Sequence, residues 1–346
     1  MRRPGLVVGV VGATGMVGRE LLKLLAKRRL PIRELVAFAS ERSRGRRLRF
    51  RGRSVVVRTL AGKDPFAGCG LVFFVSDKAL SLRHGPALAA RGVWVIDDSS
   101  AFRLDKKIPL VVPEVNAAAL TPRSRLIAGP NCAATPIAMA AAAVGLRFGL
   151  RSVRAATYQS ASGWGQAAMQ ELAEQARAWA RTGRVPKPRV LPRRLFLNLF
   201  PHIDRFDAAS GYTHEELKIA AETRKILGLP GLAVTATAVR VPVLVGHSAA
   251  VWIETDRPVT AAAARKALSA FPGITVVDDS RRPSYPTPLD AAGRDAVLAG
   301  RIRSGSHPRE LLLWLCADNL LKGAALNSVQ IAEVLLKKGW LKAHKR

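Results

Sequence analysis

The sequence predicts an α/β protein: an N-terminal doubly wound parallel sheet, then a second α+β domain with a mixed or antiparallel sheet. Three observations carry this. Up to about residue 130, short continuous apolar runs alternate with helical patterns, as buried parallel strands and their crossover helices do. The first run ends in a glycine-rich turn that opens directly onto an amphipathic helix. Beyond residue 150, strand-like segments show loose alternation and follow one another in pairs. The length, 346 residues, accommodates two cores. The boundaries expected are 1–130 and 131–319.

The elements follow in order. Residues 5–11 (GLVVGVV) read as a buried strand, although the two arginines ahead of them imitate a signal peptide. GATGMVG places Gly12, Gly15 and Gly18 at intervals of three, and RELLKLLAKR follows with Leu21, Leu22, Leu24 and Leu25 as its stripe. Strand, glycine turn and helix together form a Rossmann-type nucleotide signature: glycines let the backbone approach a pyrophosphate, and the helix N-terminus holds it. The turn and first helical residues, Gly12, Thr14, Gly15, Met16 and Val17, are the candidate contacts. The next strand, Leu35–Ala39, ends in Ser40, Glu41, Arg42, Ser43 and Arg44 rather than in a lone acidic residue. Arginines and serines there suit a 2′-phosphate, which favours NADP over NAD, with Ser40, Arg42 and Ser43 as the ligands.

Strands are expected at Leu71–Val75 and Val93–Ile96 with a helix over Leu80–Ala90 between them. After residue 150 come a strand at 153–159, the turn SASGWGQ and a helix over Ala167–Thr182. RVPKPRVLPRR reads as an exposed loop. A helix in GYTHEELKIAAETRKILG takes Thr213 as its cap, two strands lie in LAVTATAVRVPV and HSAAVWIETD, and a terminal helix lies in DNLLKGAALNSVQIAEVLLKKG.

Composition narrows the function. Hydrophobic residues make up 49% and charged residues 23%, a globular balance. Three cysteines, Cys69, Cys132 and Cys316, form no CxxC pair, which argues against a disulfide framework or a metal site and for a reducing cytoplasm. The net charge of +30 suits a protein that handles anions. Its densest cluster, Arg42–Arg53, comes with no nucleic-acid-binding signature, so specific nucleic-acid binding is not expected. No run of 18 apolar residues occurs, so no membrane span is expected.

One stretch organises the chemistry. In IAGPNCAATPIAMAAAAVGL, Gly129, Pro130 and Asn131 deliver Cys132 to an alanine-rich helical run. A thiol at a helix N-terminus has its pKa lowered and becomes a nucleophile. Reactive cysteines need a base, and His247 in VRVPVLVGHSA, re-aimed by a turn or bulge at Gly246, is the candidate. Arg103, close behind a strand's carboxyl end, is placed to meet an anion.

These residues spell out a family. The chain resembles the bacterial aspartate-semialdehyde dehydrogenases in GATGMVGREL, DDSSAFRLD with PLVVPEVN, PNC, TYQSASG, NLFPHID, GYTHEELKIAAETRKILG, VRVPVLVGHS, YPTPLDAAGRD, GRIR and ADNLLKGAALNSVQIAE. The resemblance implies NADP-dependent reductive dephosphorylation of L-aspartyl-4-phosphate to L-aspartate 4-semialdehyde, a step toward lysine, threonine, methionine and diaminopimelate. It makes Cys132 the nucleophile, Gln159 a holder of the intermediate and His247 the acid/base group. Arg240 would bind the α-carboxylate and Glu215 the amino group. Arg103, Asn131 and Lys218 would hold phosphate. Ser162, Gly163 and Asn319 complete the cofactor set, with no metal. It also implies a homodimer or homotetramer, and a terminal helix (about 320–346) that returns to the nucleotide domain.

The chain departs from the family pattern in places. VSDKALS stands where a small glycine-containing loop is usual, Ala133 and Ala134 follow the cysteine, Trp164 occupies a position that is usually small, and Asp98 stands where asparagine is common. The competing readings are an N-acetylglutamyl-phosphate type reductase and a non-catalytic paralogue. Glu215 facing a free amino group speaks against the first, and the joint presence of cysteine, glutamine, arginine and histidine against the second.

Overall fold

The structure, a computed structural model, describes residues 5–342. The expected strand at 5–11 begins at Leu6, the two leading arginines lie outside the described residues, and so does the end of the terminal helix expected to reach 346. The chain divides into two compact units, one running to Pro130 and resuming at Ala324, the other Asn131–Gly323.

The first unit holds β1 (Leu6–Val11), α1 (Met16–Lys27), β2 (Ile32–Phe38), β3 (Arg47–Phe50), β4 (Arg53–Arg58), β5 (Leu71–Phe74), α2 (Lys78–Ala90), β6 (Trp94–Asp97), α3 (Pro113–Asn116) and β7 (Leu126–Ala128). Its sheet order is β3-β4-β2-β1-β5-β6-β7. All neighbours are parallel except the β3–β4 hairpin, so the six parallel strands follow the 3-2-1-4-5-6 order of a dinucleotide-binding sheet. Buried Val7, Val11, Val36, Phe38, Phe66, Val72 and Phe74 form its core.

Part of the basic cluster turns out to be structural. Arg47–Phe50 and Arg53–Arg58 form the hairpin, turning at Arg51 and Gly52, both at positive φ. The Arg51 guanidinium donates to the carbonyls of Leu25, Arg28 and Leu30 at 2.9–3.1 Å, satisfying groups that the end of α1 leaves open.

At the carboxyl end of β6, Asp98 is half-buried, with its carboxyl group turned inward. Ser328 Oγ donates to its Oδ1 at 2.5 Å, while Oδ2 is buried without a hydrogen-bond partner among the described residues. Burial, with a smaller push from Asp97, raises its pKa to about 7 against the pull of Ser328 and Arg103. An acid whose folded pKa is raised contributes most below its unfolded value, and stability declines as pH climbs from about 4 through about 7. Asp98→Asn is therefore expected to raise the unfolding midpoint at pH 8 by about 3 °C or more relative to its effect at pH 5. Equal shifts at the two pH values would show that the folded protein does not raise the Asp98 pKa.

The second unit holds α4 (Ala134–Phe148), β8 (Ser152–Gln159), α5 (Gln166–Thr182), α6 (His214–Leu227), β9 (Ala233–Arg240), β10 (His247–Glu254), α7 (Ala261–Ser269), β11 (Ile274–Val276), α8 (Pro288–Ala291), β12 (Val297–Ser304) and β13 (Glu310–Ala317). The sheet is mixed, in the order β11-β12-β13-β10-β8-β9. The alanine-rich run of α4 is buried from Ala134 to Val144, because small side chains let the helix sit close beneath α6 and α7.

The Pro- and Arg-rich segment is the exposed loop expected, with Leu191 as its one buried residue. The Glu171 carboxylate of α5 accepts from the backbone N–H groups of Arg189, Val190 and Leu191, and Leu191 and Leu195 are buried.

The chain's terminal helix, α9 (Leu326–Lys337), follows a π-turn at Leu321–Ala325 and belongs with the first unit, where it touches α1, α3 and β6. It is shorter at both ends than the expected 320–346. No helix among the described residues is long and apolar enough to cross a membrane.

Candidate active site

Three strand ends meet at one edge of the second sheet. β8 and β9 run parallel and pair Gln159 with Arg240, while β10 runs back antiparallel, starting at His247. An amide, a guanidinium and an imidazole are thus delivered to the same edge. All three are buried, Arg240 to 1% exposure and His247 to 3%, so their polar atoms must be met inside the protein.

Ser160, one residue past β8, is where they are met. Its carbonyl accepts from Arg240 Nη1 at 2.6 Å, and its N–H donates to His247 Nδ1 at 3.1 Å. Asn319 Oδ1 accepts from the hydroxyls of Ser160 and Ser162 and from the Gly246 N–H at 3.2, 3.0 and 3.0 Å. Gly246 has φ +96°, and a Cβ there would stand 2.8 Å from the Pro288 carbonyl oxygen, so the turn that aims His247 requires glycine. Burial, reinforced by the Arg240 charge, brings the His247 pKa down to about 3, so the ring is neutral at ordinary pH.

Glu215 is a second hub. It enters from the first turn of α6, whose start is fixed by a capping box between Thr213 and Glu216. Its Oε1 accepts from Asn131 Nδ2 at 2.9 Å and Gln159 Nε2 at 3.1 Å, and its Oε2 pairs with Lys218 Nζ at 2.9 Å. Burial alone would raise its pKa, but the Lys218 charge and these hydrogen bonds outweigh it and hold the carboxyl below the usual range. Lys218 is the mirror case: burial opposes its charge, while Glu215 and Asp204, the latter 2.9 Å away, raise its pKa. The i, i+3 spacing thus gives a direct ion pair rather than two separate groups.

Cys132 precedes α4 by one residue before the cap, Ala133. The Asn131 side chain accepts from the N–H groups of Ala133 and Ala134 at 2.8 and 3.2 Å. The helix N-terminus expected to stabilise the thiolate is therefore partly used by Asn131, and the Arg240 guanidinium is a positive charge that interacts with the thiol. Burial pushes the thiols of Cys69 and Cys316 up to about 12 and about 11, which leaves both inert. Cys132 is only half-buried. Gly323 lies against it, and a Cβ there would come within 2.7 Å of Cys132 Cβ.

Beside these groups a cavity of about 320 Å³ is lined by Gly163, Trp164, Ile203, Asp204, Glu215, Lys218 and Arg240. Its lining combines two cations with two carboxylates, a set that suits a small ligand bearing both signs of charge. A Cβ at Gly163 would stand 2.9 Å from Arg240 Nη1 and 3.2 Å from His247 Nε2, so that glycine keeps the approach to both open. Trp164 lies at the cavity with the Arg240 guanidinium 5.8 Å from its ring centroid. It walls the space rather than filling it.

The remaining predicted residues lie in the first unit. Gly12 (φ +89°) abuts the carbonyl of Val75, and Gly15 starts α1 with no side-chain cap. Ser43 is buried with its hydroxyl 3.3 Å from that of Thr14, and Ser40 and Arg42 are exposed beside it. Met16 and Val17 are the first two residues of α1. Arg103 folds against the end of β6, donating to the Asp98 carbonyl at 2.6 Å. In VSDKALS, Asp77 caps α2 through the N–H groups of Ala79 and Leu80. Among the described residues, no group of three or more His, Cys, Asp or Glu side chains could hold a metal ion.

Sequence reasoning passed over Ser160, Asp204 and Glu222, whose Oε2 accepts from the Asn131 N–H at 2.5 Å. Ser160 directly follows Gln159 in TYQSASG, the one local signal available. Nothing in the sequence pairs residue 222 with residue 131.

Residues 7–122 match the family description "Semialdehyde dehydrogenase, NAD binding domain", and residues 143–322 match "Semialdehyde dehydrogenase, dimerisation domain". The chain is similar to the aspartate-semialdehyde dehydrogenase of Synechocystis, at 43% identity over 96% of this chain and 98% of that one. It is 42% identical to that of Aquifex aeolicus over 97% and 99%. The crystal structure of aspartate semialdehyde dehydrogenase II from Vibrio cholerae complexed with ASA superposes with a TM-score of 0.92 at 39% identity, covering 97% and 99%.

Proposed function

We propose, from the premise that this chain belongs to the aspartate-semialdehyde dehydrogenase family, that it reductively dephosphorylates L-aspartyl-4-phosphate to L-aspartate 4-semialdehyde through a thioester on Cys132. The observation that carries this reading is the convergence of Gln159, Arg240 and His247 at one sheet edge, with the Arg240 charge acting on both the Cys132 thiol and the His247 ring.

The roles follow from the geometry. The Cys132 thiolate attacks the acyl carbon, forming a C–S bond as the C–O bond to phosphate breaks. The Arg240 fork takes the α-carboxylate. Glu215, held ionised by Lys218, takes the ammonium group, and Lys218, Asn131 and Arg103 receive the phosphate. Gln159 holds the tetrahedral oxygen, and His247 presents its ring to the same oxygen.

The residues of the first unit fit a dinucleotide. Gly12, at positive φ, and Gly15 let the turn close tightly where a Cβ would meet the carbonyls of Val75 and Gly12, and α1 carries no side-chain cap and no acidic residue in its first turn. Gly12, Thr14, Gly15, Met16 and Val17 would hold the pyrophosphate, Ser40, Arg42 and Ser43 a 2′-phosphate, and Ser162, Gly163 and Asn319 the nicotinamide end. When bound, the reduced cofactor supplies the hydride that turns the thioester into aldehyde. The preference is for NADP. Arg42→Ala is expected to lower the NADP-to-NAD ratio of kcat/KM by about tenfold, the worth of one charged hydrogen bond. An unchanged ratio would remove Arg42 from the site.

The active form is a homodimer or homotetramer in the cytoplasm, supplying lysine, threonine, methionine and diaminopimelate synthesis. The test is the reverse reaction: purified protein with L-aspartate semialdehyde, phosphate and NADP is expected to generate reduced cofactor, and none without phosphate beyond one turnover. Absence of any turnover with this substrate would refute the assignment.

A further inference from the structure

We propose that Trp164 is a positioning residue for Arg240: its indole caps the guanidinium, keeps water from it and steadies the fork that takes the substrate's α-carboxylate. The inference rests on the carboxylate role given to Arg240 above and deepens it.

The placement of the indole carries this. The guanidinium carbon of Arg240 lies over the Trp164 ring, 5.8 Å from its centroid. Of the pair, Arg240 is 1% exposed and Trp164 40%, so the ring takes the water-facing position. Both line the cavity of about 320 Å³. The short turn that carries the indole, Ala161–Trp164, is tied down along its length. The N–H groups of Ala161 and Ser162 donate to the carbonyls of Val243 and Leu244 at 2.8 and 3.0 Å, and the Ser162 hydroxyl donates to Asn319 Oδ1. The Ser160 carbonyl accepts from the Gly163 N–H at 3.1 Å and from Arg240 Nη1 at 2.6 Å. One oxygen therefore anchors both the turn and the guanidinium. Nη1 is used in this way, while Nε is buried without a hydrogen-bond partner among the described residues. The Nε edge of the fork is what remains for a ligand.

Two physical effects follow. A carboxylate is taken along the N–H edge of a guanidinium, whereas the indole meets the cation through its ring face, so ring and ligand use different sides of Arg240. Held between the ring and the Ser160 carbonyl, the fork has little rotamer freedom left to lose when the carboxylate arrives. Excluding water also lowers the local dielectric, which strengthens the charged hydrogen bonds the fork makes. Burial opposes the charge and lowers the Arg240 pKa against the pull of Cys132 and Glu215, and the negative face of the indole offsets part of that cost. An indole neither carries charge nor transfers a proton here, so its loss falls on KM rather than on kcat.

Two experiments test this, and the first needs no substrate. Phenylglyoxal adds to accessible guanidinium groups, and mass spectrometry of the peptide containing Arg240 follows that one site. Its modification is expected to speed up at least about tenfold in Trp164→Ala and to stay within about threefold of the parent rate in Trp164→Phe. Equal rates in Trp164→Ala and the parent would overturn the cap. In steady-state kinetics, KM for L-aspartate semialdehyde is expected to rise about tenfold in Trp164→Ala, the loss of one desolvated cation–π contact, with kcat little changed. Trp164→Phe keeps a ring and is expected to bring KM back to within about threefold of the parent. An unchanged KM in Trp164→Ala, a loss confined to kcat, or a phenylalanine variant as impaired as the alanine one would contradict the proposal. If the substrate assignment itself fails, only the kinetic arm is lost, and the modification of Arg240 still judges the cap.

Discussion

Cys132→Ala is expected to lower turnover by at least about 10⁴-fold while leaving NADP affinity essentially as in the parent chain. The size follows from the chemistry, because no other thiol can stand in: Cys69 and Cys316 are buried with pKa values pushed far above neutral. The retained affinity follows from the architecture. The glycine turn and the serine–arginine cluster belong to the first unit and Cys132 to the second. Titrating the variant with NADP and measuring phosphate-dependent semialdehyde oxidation checks both halves. Oxidation within tenfold of the parent rate would remove Cys132 from the reaction.

Arg240→Leu carries the second-largest effect. A charged hydrogen bond is worth roughly 1.5–3 kcal/mol, and a two-pronged grip on a carboxylate uses two. Losing it is expected to reduce kcat/KM for the semialdehyde by about 10²- to 10³-fold, most of it in KM. Arg240→Lys should fall in between, because lysine keeps the charge and loses the fork. The thiol should also respond, with its alkylation midpoint shifting upward, since the Arg240 charge acts on Cys132. Steady-state kinetics with alkylation profiles check this, and unchanged KM in both variants would place the carboxylate elsewhere. The Ser160 carbonyl loses its Nη1 donor in Arg240→Leu, so a stability loss of about 1–3 kcal/mol accompanies the kinetic one.

The fold was legible wherever hydrophobic pattern and punctuation agree. LVVGVV, LVFF and the run ending at Asp97 are continuous apolar strands, and their parallel pairing in the first unit follows from the helices between them. Thr213 with Glu216 three residues on announced α6. The β3–β4 hairpin was hidden because arginine occupies its outward positions, so period-two alternation read as a charge cluster. The loop around Leu191 was legible as a loop but its anchoring was not, because Glu171 and Gln175 sit on α5 and act through backbone N–H groups, which leave no trace in side-chain composition.

The candidate site divides along the same line. Cys132 and His247 are marked by local context, a turn before a helix and a glycine before a strand. Glu215 as a hub is not, since its partners Asn131 and Gln159 lie 84 and 56 residues away. Spacing of three places Lys218 on the same face but does not say that the two pair with each other.

The central claim, a covalent aspartyl group on Cys132, is tested most directly by mass spectrometry of the protein after mixing with L-aspartate semialdehyde and NADP in the absence of phosphate. The account predicts one aspartyl adduct per chain on the peptide containing Cys132, formed with one equivalent of reduced cofactor and released when phosphate is added. Sustained turnover with no adduct, or an adduct on any other residue, would contradict it.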